Sequence, residues 1–476
     1  MTRNAFSLQQ PIRLTRFDTL VAGVIIALVA AIVVIVSLGD RVGVQIVRSE
    51  PLGEAATTTA ISLTFADVMD WDSVIERMRF DPPLQGDYQA TGKTLRFRPD
   101  TPLKAGTQVQ VTLLAGAQSS SGREVLHDSG FHFSVRSPRV AYLLPADAVP
   151  QNVWISDPDN PDSAQQVTFS ELGVLNFDVS PDGTRLAYAE RNVEGTADIK
   201  LLDLKSGEVR RITNCTDANC DTPVWRPDGN LIAYQRIDLN SDFQQVGVSP
   251  TRVWLIDLTT NPPSERPLFT DNQILSYAPE WSADGSRIAV FDNNSRGIVV
   301  YDMNDGRMSL IPSQSGSDIA LSPDGSKVIF PRLIFEQGGA GARSVLQIAD
   351  LTEGEVTDLI DPDEPIDDVE SVWNPDGRHV AIARRYTDNR ATRTRQLYLL
   401  DTETGQTEEL VFDERYFNGF FSWNPEGNQL VIQRFPELTE TGDFNQNGRP
   451  EVWTYRLSDG SLNQVAQNAY LPHWVP

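Results

Sequence analysis

The stretch WNPDGRHVAIAR, residues 373–384, decides the fold, because its opening phrase recurs along the chain. VSPDG (179–183), WRPDG (225–229), WSADG (281–285), LSPDG (321–325) and WNPEG (423–427) are near-copies, and successive glycines lie 46, 56, 40, 52 and 50 residues apart. Proline presets φ at the first turn position, the carboxylate can accept nearby backbone N–H groups, and glycine takes the left-handed position. The phrase therefore predicts a tight hairpin, with a large residue four places before the glycine. A β-rich run follows each copy: LAYAE (186–190), LIAYQ (231–235), IAVFD (288–292), VIFPR (328–332), VAIAR (380–384) and LVIQR (430–434). A second run follows a variable loop, as in IKLLDL (199–204), VWLIDL (253–258), IVVYDM (298–303) and VWTYRL (452–457). Turns such as KSGE, NDGR and SDGS then lead to a short outer strand. Four short strands repeated in this way describe the blades of a β-propeller.

Before the first copy lies a partial unit, VAYLL (140–144), VWISD (153–157) and QQVTF (165–169), which lacks an inner strand. At the other end, AYLPHWVP (469–476) places Trp474 where the copies carry Val179, Trp225, Trp281, Leu321, Trp373 and Trp423. The C-terminal strand is thus expected to complete the first blade and close seven blades into a ring, with six as the alternative count. The phrase x-W-S-P-D-G-x-x-[LI]-[AV], followed by an I-x-x-x-D-L strand, resembles the TolB-like propellers, relatives of WD-repeat proteins. The resemblance covers residues 139–476 and implies binding before catalysis, since such propellers serve both as periplasmic scaffolds and as domains of peptidases.

Residues 42–137 have another texture. ISLTFAD (61–67), RMRFDPPL (77–84), TLRFRPDTPLKAGTQVQVTLLAG (94–116) and GFHFSV (130–135) alternate as strands at β-sandwich spacing. SLTF, the P-x-x-P-L-x-x-G-T-like turn and the closing FHFSV resemble a bacterial Ig-like module, although SSSG replaces the acidic turn expected before the last strand. The resemblance implies a spacer, with Arg136-Ser137-Pro138-Arg139 as the boundary.

Residues 20–38, LVAGVIIALVAAIVVIVSL, carry no charge. At about 1.5 Å per residue they span roughly 28 Å, close to the hydrocarbon thickness of a bilayer. The run exceeds the apolar region of a cleaved signal peptide and ends at Ser37-Leu38-Gly39-Asp40, a poor cleavage site. It reads as an uncleaved anchor, and Arg3, Arg13 and Arg16 before it place residues 1–19 in the cytoplasm. Everything after Asp40 is then extracytoplasmic, at the cell surface or in the periplasm. Cys215 and Cys220, the chain's two cysteines, fit an oxidising compartment as a disulfide in the NCTDANC loop, with two free thiols as the alternative. C-x4-C without a second pair or a nearby histidine argues against zinc.

The 65 acidic and 40 basic residues give a net charge of −25. Without a basic stripe interleaved with aromatics, nucleic-acid binding is excluded. One loop has the spacing of a calcium site. DFNQNGRPE (443–451) sets Asp443, Asn445, Asn447 and Glu451 at positions 1, 3, 5 and 9, with Gly448 at position 6 and the Arg449 carbonyl at position 7. The expectation is a structural Ca2+, with a metal-free polar turn as the alternative. Asp238-Leu239-Asn240-Ser241-Asp242 is a weaker candidate, lacking the glycine. GGAGAR (338–343) opens no helix and is no phosphate loop. His127, His132, His379 and His473 have no metal spacing and are expected at surface or half-buried positions. No G-x-S-x-G elbow is present, and the turn explains Asp182, Asp228, Asp284, Asp324 and Asp376, so no catalytic residue is assigned. The sequence thus points to a membrane-anchored extracytoplasmic propeller that binds an envelope protein or a cell-wall polymer. The alternative is a glycan hydrolase or lyase with its site in the central funnel.

Overall fold

The computed structural model describes residues 16–39, 43–239, 249–314, 318–335, 341–390 and 392–476. Arg3, Arg13, Asn240 to Asp242 and residues 338–340 of the Gly-rich loop lie outside them. Arg16–Gly39 forms a 24-residue helix, and its described side chains, at 17 and 19–34, are all exposed. Among the described residues no helix is long and apolar enough to cross a membrane.

The chain divides into two units, one built on Ile61–Arg98 and Val109–Phe133, the other on Ser134–Pro476 with the segments Glu54–Ala60 and Pro99–Gln108. In the Ig-like region two four-stranded sheets form. One runs in the order Ile46–Glu50, Ile61–Phe65, Thr94–Pro99, Gly86–Thr91; the other runs Gly53–Ala55, Ser129–Val135, Gln108–Leu113, Met78–Asp81. Period-two alternation sets their buried faces: Ile61, Leu63 and Phe65 are buried while Ser62 and Thr64 are not. The structure adds a short helix, Trp71–Arg77, whose N-cap Asp70 accepts from the Ser73 N–H. Seven residues are too few for a helical period to be read from sequence.

Past Arg139 the chain is a succession of antiparallel sheets. Those starting at Ser276, Ala320, Ile366 and Tyr416 have four strands each, in chain order. Val174–Pro267 forms one eight-stranded sheet, but its two halves share a single bridge, Ala197 to Asn219. The remaining sheet joins Arg139–Leu144, Asn152–Asp157 and Asn160–Gln166 to the C-terminal strand Tyr470–Val475. That strand pairs antiparallel with the first, Trp474 opposite Val140 and His473 opposite Ala141.

In each sheet the strand entering a turn phrase, or its C-terminal counterpart, is the inner one. Inner strands of successive sheets touch in cyclic order, from Val174–Val179 round to Tyr416–Trp423, then Tyr470–Val475, then Val174–Val179 again. Apolar layers fill the spaces between neighbouring sheets. Ile199, Leu201, Trp225 and Tyr234 form one such layer, and Val140, Tyr142, Val431, Val452 and Trp474 join the last sheet to the first. The repeated tryptophan also makes a polar link. Its indole N–H donates to the carbonyl just ahead of the preceding sheet's phrase: Trp225 to Asp178 (3.2 Å), Trp373 to Ala320 (3.1 Å), Trp423 to Val372 (3.2 Å) and Trp474 to Ser422 (3.0 Å). Buried indoles need such a partner, and here it ties one sheet to the next.

Candidate binding face

Every sheet has two ends. One carries the phrase turns and the turns between third and fourth strands; the other carries the loops between second and third strands and the connections from sheet to sheet. At the turn end the polar groups satisfy one another. Asp182 accepts from Ser180 Oγ (2.6 Å) and the Thr184 N–H (3.1 Å), while Gly183 is left-handed at φ 63°. Asp228, Asp284, Asp324 and Asp376 each accept the N–H two residues on, at 2.8–3.0 Å. Asp203, Asp257, Asp302, Asp350 and Asp401, ending the third strands, do the same. These carboxylates are occupied as turn staples, which leaves no basis for a catalytic ring among them.

Midway along the inner strands the ladder breaks. Register shifts span Asp221 to Val224, Tyr277 to Glu280, Gly419 to Phe421 and Tyr470 to His473. Within them Thr222, Ala278, Phe420 and Leu471 are left-handed, at φ 47–53°. Such bulges bend a strand and leave its backbone groups unpaired within the sheet. Carboxylates on one inner strand also accept backbone N–H groups of the next, in one case at a bulge. Asp178 accepts the Trp225 N–H (2.7 Å) and Glu280 the Leu321 N–H (3.0 Å), while Glu370 takes the N–H groups of Phe420 and Phe421. Burial raises Asp178 to about 7, Glu280 to about 8 and Glu370 to about 7, the last with help from the Asp318 charge. His473 stands 3.6 Å from Asp178, and burial lowers it to about 4. Both keep some exposure, 21% for Asp178 and 36% for His473.

Sequence reasoning named His473 only as a surface or half-buried histidine and did not single out Asp178, Glu280 or Glu370. Asp178, Glu280 and His473 each stand immediately before the large residue of the phrase, and that shared position was the available signal.

The loop end differs in its apolar side chains. Val149, Phe169, Leu172, Val193, Phe335, Phe412, Phe417 and Phe444 are exposed there, and Phe420 is exposed in the bulge of the last inner strand. Phe412 to Phe444 belong to the last sheet and the connection entering it. Val149, Phe169 and Leu172 follow on the first sheet and its exit, and Val193 lies on the next sheet. Together they form an arc across three successive sheets, and Phe169 is 78% exposed. Elsewhere in the described part of residues 139–476 the exposed large apolar side chains are Val209, Met308, Leu310 and Val356, scattered on outer strands, with Val209, Met308 and Val356 directly following the turns of the turn end.

The loop proposed for calcium lies at the same end, and its oxygens have other partners. Asp443 accepts from Thr441 Oγ (2.9 Å), Asn445 from the Asn447 N–H (3.2 Å) and Glu451 from the Trp453 indole (2.8 Å). Arg449 pairs with Asp147 at 2.7 Å. Asp443, Asn445 and Glu451 each already accept a hydrogen bond within the loop or beside it, and among the described residues there is no group of three or more His, Cys, Asp or Glu that could hold a metal. Cys215 and Cys220 are joined in a disulfide and are fully buried beside Ala218 and Ile212. His127 and His132 are exposed, and His379 Nδ1 pairs with Asp376 at 2.6 Å.

Comparison with known proteins agrees with both halves of the architecture. A bacterial Ig-like domain matches residues 40–135. Tricorn protease homolog 1 of Streptomyces coelicolor is 25% identical over 158 residues, 30% of this chain and 13% of that protein. The chain thus spans about an eighth of the curated relative it matches. Among solved structures, a prolyl endopeptidase superposes with a TM-score of 0.51 at 12% identity, over 70% of this chain and 50% of that one. TolB from Acinetobacter baumannii gives 0.41 at 14% identity, over 91% and 99%. The structural neighbours are TolB and other β-propeller proteins, and at such identities the likeness speaks of fold alone.

Proposed function

We propose that residues 139–476 form a seven-bladed propeller closed by the C-terminal strand, and that the chain is an envelope scaffold docking a protein partner on the loop face. The blade count takes the eight-stranded sheet as two blades and follows the cyclic contacts of the inner strands. The binding reading is carried by one observation, the arc of exposed phenylalanines and aliphatic side chains gathered toward one face. Aromatic side chains are enriched at protein interfaces, and extended apolar patches mark them. Anchoring belongs to the same proposal, carried by the uncharged run at 20–38 and the outward-facing apolar side chains of its helix. The folded units would then stand outside the cytoplasmic membrane.

A photo-crosslinking residue at Phe169 or Phe420 in intact cells tests the reading. It should give one adduct, lost in Phe169→Asp/Phe420→Asp, while the same probe at Met308 on an outer strand gives none. Adducts from Met308 and not from the arc would discard it. The second reading, an enzyme working in the funnel, rests on the His473–Asp178 pair. Asp178 already serves the Trp225 N–H, which favours a structural role. A calcium ion at 443–451 remains a proposal carried by spacing. It requires Asp443 to leave Thr441 and Glu451 to leave Trp453.

A further inference from the structure

A cavity of about 910 Å³ lies between the sheet Ser276–Pro312 and the sheet beginning at Ala320, toward the loop face. Its charge is the reverse of the chain's. Arg296 and Arg332 line it, and no carboxylate does, in a protein of net charge −25. Neutral hydrogen-bonding side chains of Asn293, Gln314, Gln347 and Tyr277 share the walls, and Phe330, Pro312 and Pro331 supply apolar surface.

The two cations are set in place by the fold. Arg296 is left-handed at φ 53°, a conformation that costs a non-glycine residue of order 1 kcal/mol and must be held by its surroundings. Asp292 holds it, accepting the N–H groups of Leu275 (2.8 Å), Asn294 (3.1 Å) and Ser295 (3.0 Å). The following Gly297 leaves no room for a Cβ, which would fall 2.7 Å from the Ile311 carbonyl. The turn is thus packed closely against the outer strand. Among the described residues no ion pair engages Arg296. Arg332 is oriented by Asp358 at 3.0 Å, and the same carboxylate holds Gln347 at 2.9 Å. Its Nε is buried without a hydrogen bond.

We propose that this cavity is a subsite for a carboxylate-bearing sugar, such as a uronate unit of an acidic polysaccharide. A guanidinium matches a carboxylate in plane and spacing. Amide side chains offer a donor and an acceptor side by side, as adjacent ring hydroxyls require. The exposed Pro312 ring suits the C–H face of a pyranose, with the buried Phe330 and Pro331 beneath the site. A peptide carboxyl end is the competing occupant, and the dipeptide arm of the test separates it. The site is separate from the phenylalanine arc, so its failure would leave partner docking on that arc untouched.

Titration calorimetry on the full chain in detergent, with D-glucuronate, D-glucose, sodium phosphate and the dipeptide Ala-Phe, tests this. Glucuronate should bind saturably, glucose about tenfold more weakly or not at all, and phosphate and the dipeptide more weakly than glucuronate. Arg296→Gln should weaken glucuronate about tenfold with an unchanged melting temperature, and Arg296→Lys should restore part of the loss. Equal binding of glucose, no saturable binding of glucuronate, tighter binding of phosphate or the dipeptide, or an unaltered Arg296→Gln would each overturn the proposal.

Discussion

The two ends of the sheets are made from the same strands and differ in almost everything else. At the turn end each aspartate closes its own turn within two residues, and each glycine supplies the left-handed step. At the loop end the connections vary in length, the phenylalanines face outward, and the Arg-lined cavity opens nearby. The difference teaches that the repeated residues maintain the ring, while the residues that never repeat are the ones free to recognise something. Changes at the repeat should therefore cost stability, and changes at the loop end should cost binding.

The largest effect should come from the closing strand. Deleting residues 470–476 exposes Val140 and Tyr142 and removes the ladder to Arg139–Leu144. Calorimetry should show the main unfolding transition lowered by more than about 10 °C, or lost. Next is Trp474→Phe, which removes the indole donor to the Ser422 carbonyl and part of a buried ring. A loss of about 2–3 kcal/mol in denaturant unfolding is expected, whereas Met308→Ala on an exposed outer strand should stay within about 0.5 kcal/mol.

Glu280 gives a smaller effect with a definite sign. Its pKa is raised to about 8 in the fold, against about 4.3 unfolded. Between these values the folded chain holds a proton that the unfolded chain does not, so stability from this group is full at low pH and falls as pH rises through about 8. Asp178 and Glu370 act in the same sense and His473 in the opposite one. Glu280→Gln keeps an acceptor for the Leu321 N–H, so it should raise the melting temperature by a few degrees at pH 8 and change little at pH 5. A larger gain at pH 5 than at pH 8 would contradict the assignment. Smallest of all, calcium at 443–451 should raise the melting temperature by about 1 °C, an increment absent in Asp443→Ala; no increment would discard the ion.

What the sequence disclosed follows the same division. The phrase turns, the strand runs and the C-terminal partner of VAYLL were legible, because each rests on local turn chemistry or period-two alternation. The Ig-like strands were legible for the same reason, and the helix Trp71–Arg77 was hidden by its brevity. The inner-strand bulges at Thr222, Ala278, Phe420 and Leu471 were not legible, since left-handed backbone at residues other than glycine leaves no mark in composition. The phenylalanine arc was equally hidden: Phe169, Phe420 and Phe444 are far apart in the chain, and the ring brings their sheets together. The calcium loop was legible only as a spacing; that Asp443 and Glu451 accept from Thr441 and Trp453 could not be read from it.

Everything said about the two faces depends on the last strand sealing the ring. Hydrogen exchange of the amides in residues 470–475, followed by mass spectrometry, tests this directly. The account predicts protection comparable to Gln429–Pro436, an interior strand of the neighbouring sheet. Exchange within seconds, as in a free tail, would contradict it.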